Sequence, residues 1–367
     1  MHGGNLRRAR EVYGLNTFLD LSANINPFGP PKGVWDRIRE TLLDIVHYPD
    51  PESKQLRTEL ASKYQHPIND IMVGNGVGEL LFTLVQSLKP RKVAIPIPSF
   101  SEYEQAARAA SAEISYIPLG AQGWAGISPI ITSEDKAHFI NVWQQHLRDC
   151  DLLFLCSPHN PTGSVISREH FQLLLEITKN LNCRIIFDES FYDFLPEETR
   201  WSARSELKQN SHLIVLYSMT KFYSIPGLRL GVCFASPDVI SYSRQFRDPW
   251  SVNVLAEQAG IAALQDQLFP VQVRQMLYES KQFFFINFKL QAPKSLILWP
   301  TSVNFALIQL FDRTSGELVT ELAEHGILVR DCANFIGLQG SFIRVAIKDI
   351  SSMKRFLNTL SLLNQKP

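Results

Sequence analysis

Short runs of consecutive apolar residues alternate along the chain with stretches whose apolar positions recur at helical spacing. Ile71–Val73, Val93–Pro98, Ile114–Leu119, Asp151–Pro158, Cys183–Phe187, His212–Ser218 and Leu230–Ala235 read as buried strands. Helical patterns lie between them, at Leu80–Leu88, from Ser99 through Ala110, at 136–148 and at His170–Leu181. Strand and helix alternate from 71 to 236, which predicts an α/β fold with a mostly parallel central sheet and helices on both faces. Upstream, residues 1–20 read as a polar arm and about 32–45 as helix, and Ser53 reads as the N-cap of a helix reaching about Tyr64. Residues 120–135 read as loop. After Asn253 come long helices at about 253–267 and 270–290, strands at Asn304–Leu310 and Phe342–Ile347, and helices at about 316–325 and 350–364. That part reads as a second, smaller α+β domain.

Charge narrows the function. Lys+Arg (36) balances Asp+Glu (36), so no basic field points to nucleic acid or an anionic membrane. No apolar run is long enough to cross a bilayer, and the first residues do not resemble a signal peptide, so a cytoplasmic protein is expected. The five cysteines show no Cys-x-x-Cys spacing and read as reduced core residues. The histidines include no His-Glu-x-x-His, and no metal site is expected.

The candidate chemistry sits where strands end. The His212–Ser218 run delivers a hydroxyl, then Lys221, then Pro226-Gly227 and Arg229, before the next apolar run. A lysine just beyond a core strand can be desolvated, which lowers its pKa and makes its amine a Schiff-base former. Ser218 and Arg229 could share a phosphate beside it; the bland reading is a surface lysine in a strand-to-strand loop. Three further strands run into polar residues: Asp151–Pro158 into Asn160, Cys183–Phe187 into Asp188, and Ile71–Val73 into Gly74-Asn75-Gly76 at a helix start. Such strand ends are the ligand-binding face of open α/β sheets, and exposed N–H groups at a helix start suit a phosphate.

In this order these segments resemble fold-type I pyridoxal-phosphate enzymes, with Asp188 and Lys221 spaced as in the aminotransferase branch. His2-Gly-Gly-Asn5, Ser22–Pro27, Thr220–Gly231, Pro249–Asn253 and Val329–Asn334 extend the likeness from end to end. They resemble the histidinol-phosphate aminotransferase subfamily and, within it, the threonine-phosphate decarboxylases of cobalamin biosynthesis. The resemblance implies three parts: residues 1–44 as an N-terminal arm and small-domain segment, 45–260 as the large cofactor-binding domain, and 261–367 as the small C-terminal domain.

It also implies site roles. Lys221 would be joined covalently to pyridoxal 5'-phosphate, Asp188 would face the ring nitrogen, Asn160 would bond the ring oxygen, and Phe100, or else Tyr103, would stack on the ring. The cofactor phosphate would take Ser218, Arg229 and the N–H groups of Val77 and Gly78, with Tyr48 from a neighbouring subunit in a homodimer with shared sites. Arg344 would grip the substrate carboxylate; Arg330, His2, Asn5 and Asn24 would hold a substrate phosphate. Phe191 stands where many aminotransferases carry tyrosine, and the decarboxylases also carry phenylalanine there. The implied activity is decarboxylation of O-phospho-L-threonine or O-phospho-L-serine. The alternative is a histidinol-phosphate-type aminotransferase. A cofactor-binding regulator of transcription would need a DNA-binding segment, which this sequence does not show.

Overall fold

The computed structural model describes residues 3–363. Its strands, in chain order, are β1 (Leu19–Asp20), β2 (Ile71–Asn75), β3 (Lys92–Ile97), β4 (Glu113–Pro118), β5 (Leu152–Cys156), β6 (Arg184–Asp188) and β7 (Leu213–Ser218). The remaining six are β8 (Leu230–Phe234), β9 (Leu296–Leu298), β10 (Phe305–Leu310), β11 (Ile327–Leu328), β12 (Arg330–Asp331) and β13 (Ser341–Ala346).

Seven of these form the main sheet in the order β2-β8-β7-β6-β5-β3-β4. Only β8 runs against its neighbours. Because β2 and β7 both oppose β8, the carboxyl ends of β2, β3, β5, β6 and β7 share one edge with the start of β8. Every residue of β5, β7 and β8 is buried, as continuous apolar runs in a sheet covered on both faces require.

A second, antiparallel sheet has the order β12-β13-β10-β9. The N-terminal segment is stitched to this part of the chain: β1 pairs with β11, and Ala346 N–H donates to the Leu21 carbonyl (2.8 Å). The helix Phe269–Gln291 connects the two sheets in sequence and packs on the helix Ile350–Leu363.

Three expectations change. Residues 6–13, read within a polar arm, form a helix in which only Ala9 is buried; Asn5 caps its start and Gly14, at φ +68°, its end. Ser53 does not cap the helix Lys54–Tyr64: it is left-handed (φ 42°), and the Asp50 carboxylate accepts from the N–H groups of Glu52 and Lys54 instead. The 120–135 loop contains a core residue, Trp124, whose indole N–H donates to the Cys156 carbonyl (2.7 Å). All five cysteines are buried and free.

Candidate active site

A cavity of about 450 Å³ lies at the shared strand edge, where the second sheet closes over the first. Lys221 opens into it. Its Nζ lies 3.5 Å from Ser218 Oγ and 5.4 Å from the centre of the buried Phe191 ring. Burial pushes the amine below its ordinary range, with Asp188 opposing and Arg229 and Arg344 reinforcing the shift. The loop carrying the lysine is tied to the N-terminal segment. Asn26 N–H donates to the Lys221 carbonyl (3.1 Å), Asn26 Nδ2 to the Phe222 carbonyl (2.9 Å), and Ser224 Oγ to the Asn26 carbonyl (2.6 Å).

Asp188 ends β6, buried below the cavity. Its Oδ2 accepts from the Tyr103 hydroxyl (2.7 Å) and its Oδ1 from Ser190 N–H (2.8 Å). The next residue, Glu189, faces elsewhere and pairs with Arg204 (3.2 Å). Tyr103 is therefore not a stacking surface in the cavity wall. Its ring lies flat on Phe154 (4.9 Å, 9°) and its phenol orients the carboxylate. Phe100 lines the cavity.

The start of the helix Gly76–Leu88 forms another corner. Its first turn leaves the N–H groups of Val77 and Gly78 without helical partners. Gly76 is at φ +80°, and a Cβ there would run into the Arg229 guanidinium, so glycine permits both the turn and the approach of the arginine. Ser218 Oγ bonds Thr220 Oγ1 (2.8 Å) beside this corner. The geometry offers hydroxyls, helix N–H groups and a guanidinium to one anion.

Arg344 reaches in from β13. It donates to Asn160 Oδ1 and to the Ser22 carbonyl (3.2 Å), while its buried Nε has no partner. Burial lowers its pKa to about 10. Asn160 Oδ1 is thus engaged, and its Nδ2 has no hydrogen-bond partner among the described residues. Arg330 lines the same cavity, donating to Asn334 Oδ1 (2.8 Å) with its guanidinium 5.4 Å from the Phe335 ring. Asn24 lines it too, and its buried Oδ1 has no partner.

Two expected residues stand apart. Asn5 lies outside the wall because its Oδ1 accepts from Arg8 N–H as the helix cap (3.1 Å). Tyr48 is exposed, tilted against Trp250 at 4.7 Å. His2 lies outside the described residues. The structure also brings in groups that sequence reasoning missed. Asp20 and Ser22 join the wall and tether Gly4: Gly4 N–H donates to Ser22 Oγ (2.8 Å), and that hydroxyl donates to Asp20 Oδ1 (2.6 Å). Thr220 and Asn334 are further wall residues; Ser22, Thr220 and Asn334 fall within motif segments visible in the sequence, whereas Asp20 carries no such signal.

A family model for aminotransferase class I and II matches residues 16–360. The chain is 38% identical over 363 residues to a threonine-phosphate decarboxylase of Salmonella typhimurium, covering 98% of this chain and 95% of that protein. A solved histidinol-phosphate aminotransferase from Clostridium acetobutylicum is similar at TM-score 0.83 and 29% identity, over 95% of this chain and 100% of that one. A solved L-threonine-O-3-phosphate decarboxylase from Porphyromonas gingivalis gives TM-score 0.80 and 26% identity, over 95% and 99%.

Proposed function

Since the chain belongs to the aminotransferase class I and II family, we propose that it is a pyridoxal-phosphate-dependent decarboxylase of O-phospho-L-threonine. The observation that carries this reading is the pair of buried arginines, Arg330 and Arg344, in one cavity with a desolvated lysine. Two guanidiniums suit a substrate with two anionic groups, a carboxylate and a phosphate. The named relatives in Salmonella typhimurium and Porphyromonas gingivalis support the same reading. The product, aminopropanol phosphate, would serve the cobalamin nucleotide loop.

The residues fit the cofactor. Lys221 would hold its aldehyde, Asp188 its ring nitrogen, the free Nδ2 of Asn160 its ring oxygen and Phe100 its face. Ser218, Arg229 and the N–H groups of Val77 and Gly78 would take its phosphate. When bound, pyridoxal phosphate supplies an electron-accepting ring that weakens whichever substrate α-carbon bond stands perpendicular to it. The protein's part is to choose that bond. Arg330 and Asn24 would anchor the phosphate, and Arg344 would turn the carboxylate into position. A grip of equal strength in ground and transition states would add binding and no rate, so Arg344 would act mainly by orientation or by relaxing its grip as carbon dioxide forms. Lys221 Nζ, or a water, would supply the proton that the α-carbon takes up after carbon dioxide leaves.

Tyr48 would complete a neighbouring copy's site in a homodimer. The exposed apolar residues Leu42, Leu43, Ile45 and Val46 beside it support burial against a second chain. The chain divides, on this reading, into residues 1–44, 45–260 and 261–367.

The test incubates the holoenzyme separately with O-phospho-L-threonine, O-phospho-L-serine, and histidinol phosphate plus 2-oxoglutarate. Carbon dioxide from a phospho-amino acid is the expected result; keto product alone would overturn the reading in favour of amino transfer. The rates on the first two substrates rank them, since one methyl group is worth about 1–3 kcal/mol of discrimination.

A further inference from the structure

A second cavity, of about 780 Å³, lies between the segment 63–66, the segment 192–208 and the start of the helix Phe269–Gln291. It holds none of the groups assigned to the cofactor or substrate. Five cationic side chains line it: Lys63, Arg200, Arg204, Lys208 and Arg274. Internal pairing does not use them up. Glu197 is shared by Arg200 (3.2 Å) and Arg274 (2.6 Å), and Asp193 is engaged by the Tyr217 hydroxyl (2.5 Å). Lys63 donates to the Leu264 carbonyl (3.0 Å) and feels the Asp193 and Asp266 carboxylates at longer range, while Lys208 has no ion-pair partner among the described residues.

A buried guanidinium stands behind the wall. Arg204 is 4% exposed and paired with Glu189 (3.2 Å), and its guanidinium lies 4.1 Å from the Tyr64 ring and 4.9 Å from the Tyr192 ring. Its Nη1 is closed off from the cavity among the rings of Tyr64, Tyr192, Tyr217 and Phe234, so Arg204 contributes a fixed positive charge behind the wall and not a donor to it. A positive surplus and guanidinium donors together suit an anion with several acceptor oxygens.

We propose that this cavity is a second ligand site, for a phosphate-type dianion: free phosphate or the phosphate group of a small ester. The ligand bridges the segment carrying Arg200 and Lys208 to Arg274, on the helix that leads to the second sheet.

Isothermal titration of the Arg330→Ala holoenzyme, whose substrate phosphate anchor is removed, reads this site directly. Inorganic phosphate and phenyl phosphate are titrated in separate arms. Saturable binding at one site per chain is expected, weakened roughly tenfold or more by Lys208→Glu and by Arg200→Glu. Lys208 is exposed, so the Lys208→Glu chain keeps its fold, which circular dichroism checks. Tighter phenyl phosphate assigns the site to an ester with an apolar part, and tighter inorganic phosphate assigns it to the free ion. No saturable heat in either arm, or heat unchanged by both reversals, overturns the proposal. Neither result bears on the decarboxylation assay.

Discussion

Arg330 and Arg344 are direct register partners on the antiparallel strands β12 and β13, so their side chains leave the same face into the same cavity. Like charges placed opposite each other in a sheet are destabilising, and both residues are only 8% exposed. Such a pair makes sense as a receptor for two anions. Arg330→Ala is expected to raise KM for O-phospho-L-threonine about ten- to a hundredfold, the scale of a lost charged hydrogen bond, with little effect on unphosphorylated threonine. Steady-state kinetics on both substrates checks this. Equal losses would take the phosphate away from Arg330.

Lys221→Ala should leave the fold intact and remove the visible cofactor absorbance along with turnover, a loss of about 10⁴-fold or more. The amine's depressed pKa adds a pH signature. Capture of cofactor by the apoenzyme needs the neutral amine, so its rate should rise with pH and level off with a midpoint below the ordinary 10.5. Stopped-flow absorbance measures it. A midpoint at 10.5 or higher would mean that the amine is solvated.

Tyr103→Phe removes the hydroxyl that orients Asp188 and keeps the ring packed on Phe154. The loss of one such bond, about 0.5–1.5 kcal/mol, should weaken cofactor retention severalfold without unfolding the chain. Equilibrium dialysis of cofactor decides it, and unchanged retention would make the contact ornamental.

Glu257 is buried in the helix Val254–Gln265, and its carboxyl is pushed up to about 7 by burial first and by Asp50 second, against the Leu56 N–H. Between 4.5 and about 7 the folded chain keeps a proton that the unfolded chain has lost. Stability from this residue therefore falls as pH rises through that window and stays lower above it. Glu257→Gln should be more stable than the parent above pH 7, by about 1–2 kcal/mol once partial solvation is allowed for, and equal to it near pH 4.5. Thermal melts across pH test the sign.

The strand-end groups are legible in the sequence because a buried strand declares itself as an unbroken apolar run, and the residues just beyond it must emerge at the sheet edge. Lys221, Asp188 and Asn160 are found that way. Tyr103 is ambiguous in the sequence because its partner lies 85 residues away, and only the folded sheet shows its phenol meeting Asp188. Asn26 looks like a turn former, since its bond to the Phe222 carbonyl spans 196 residues. The helix Leu6–Tyr13 carries local signals of its own, since Leu6, Ala9 and Tyr13 recur at helical spacing between the Asn5 cap and Gly14; its high charge masks them. Asn5 illustrates the converse: a motif suggests ligand binding, and local geometry uses its oxygen as a cap.

The Arg344 bond to Asn160 joins the last strand of one sheet to a loop of the other. One guanidinium is thereby both a clasp between the two halves and a reader of whatever enters the gap. If Arg344 takes the substrate carboxylate as proposed, that carboxylate would share the guanidinium with the amide, and arrival of a ligand and loosening of the seam would be a single event. Opening and closing would then need no separate trigger.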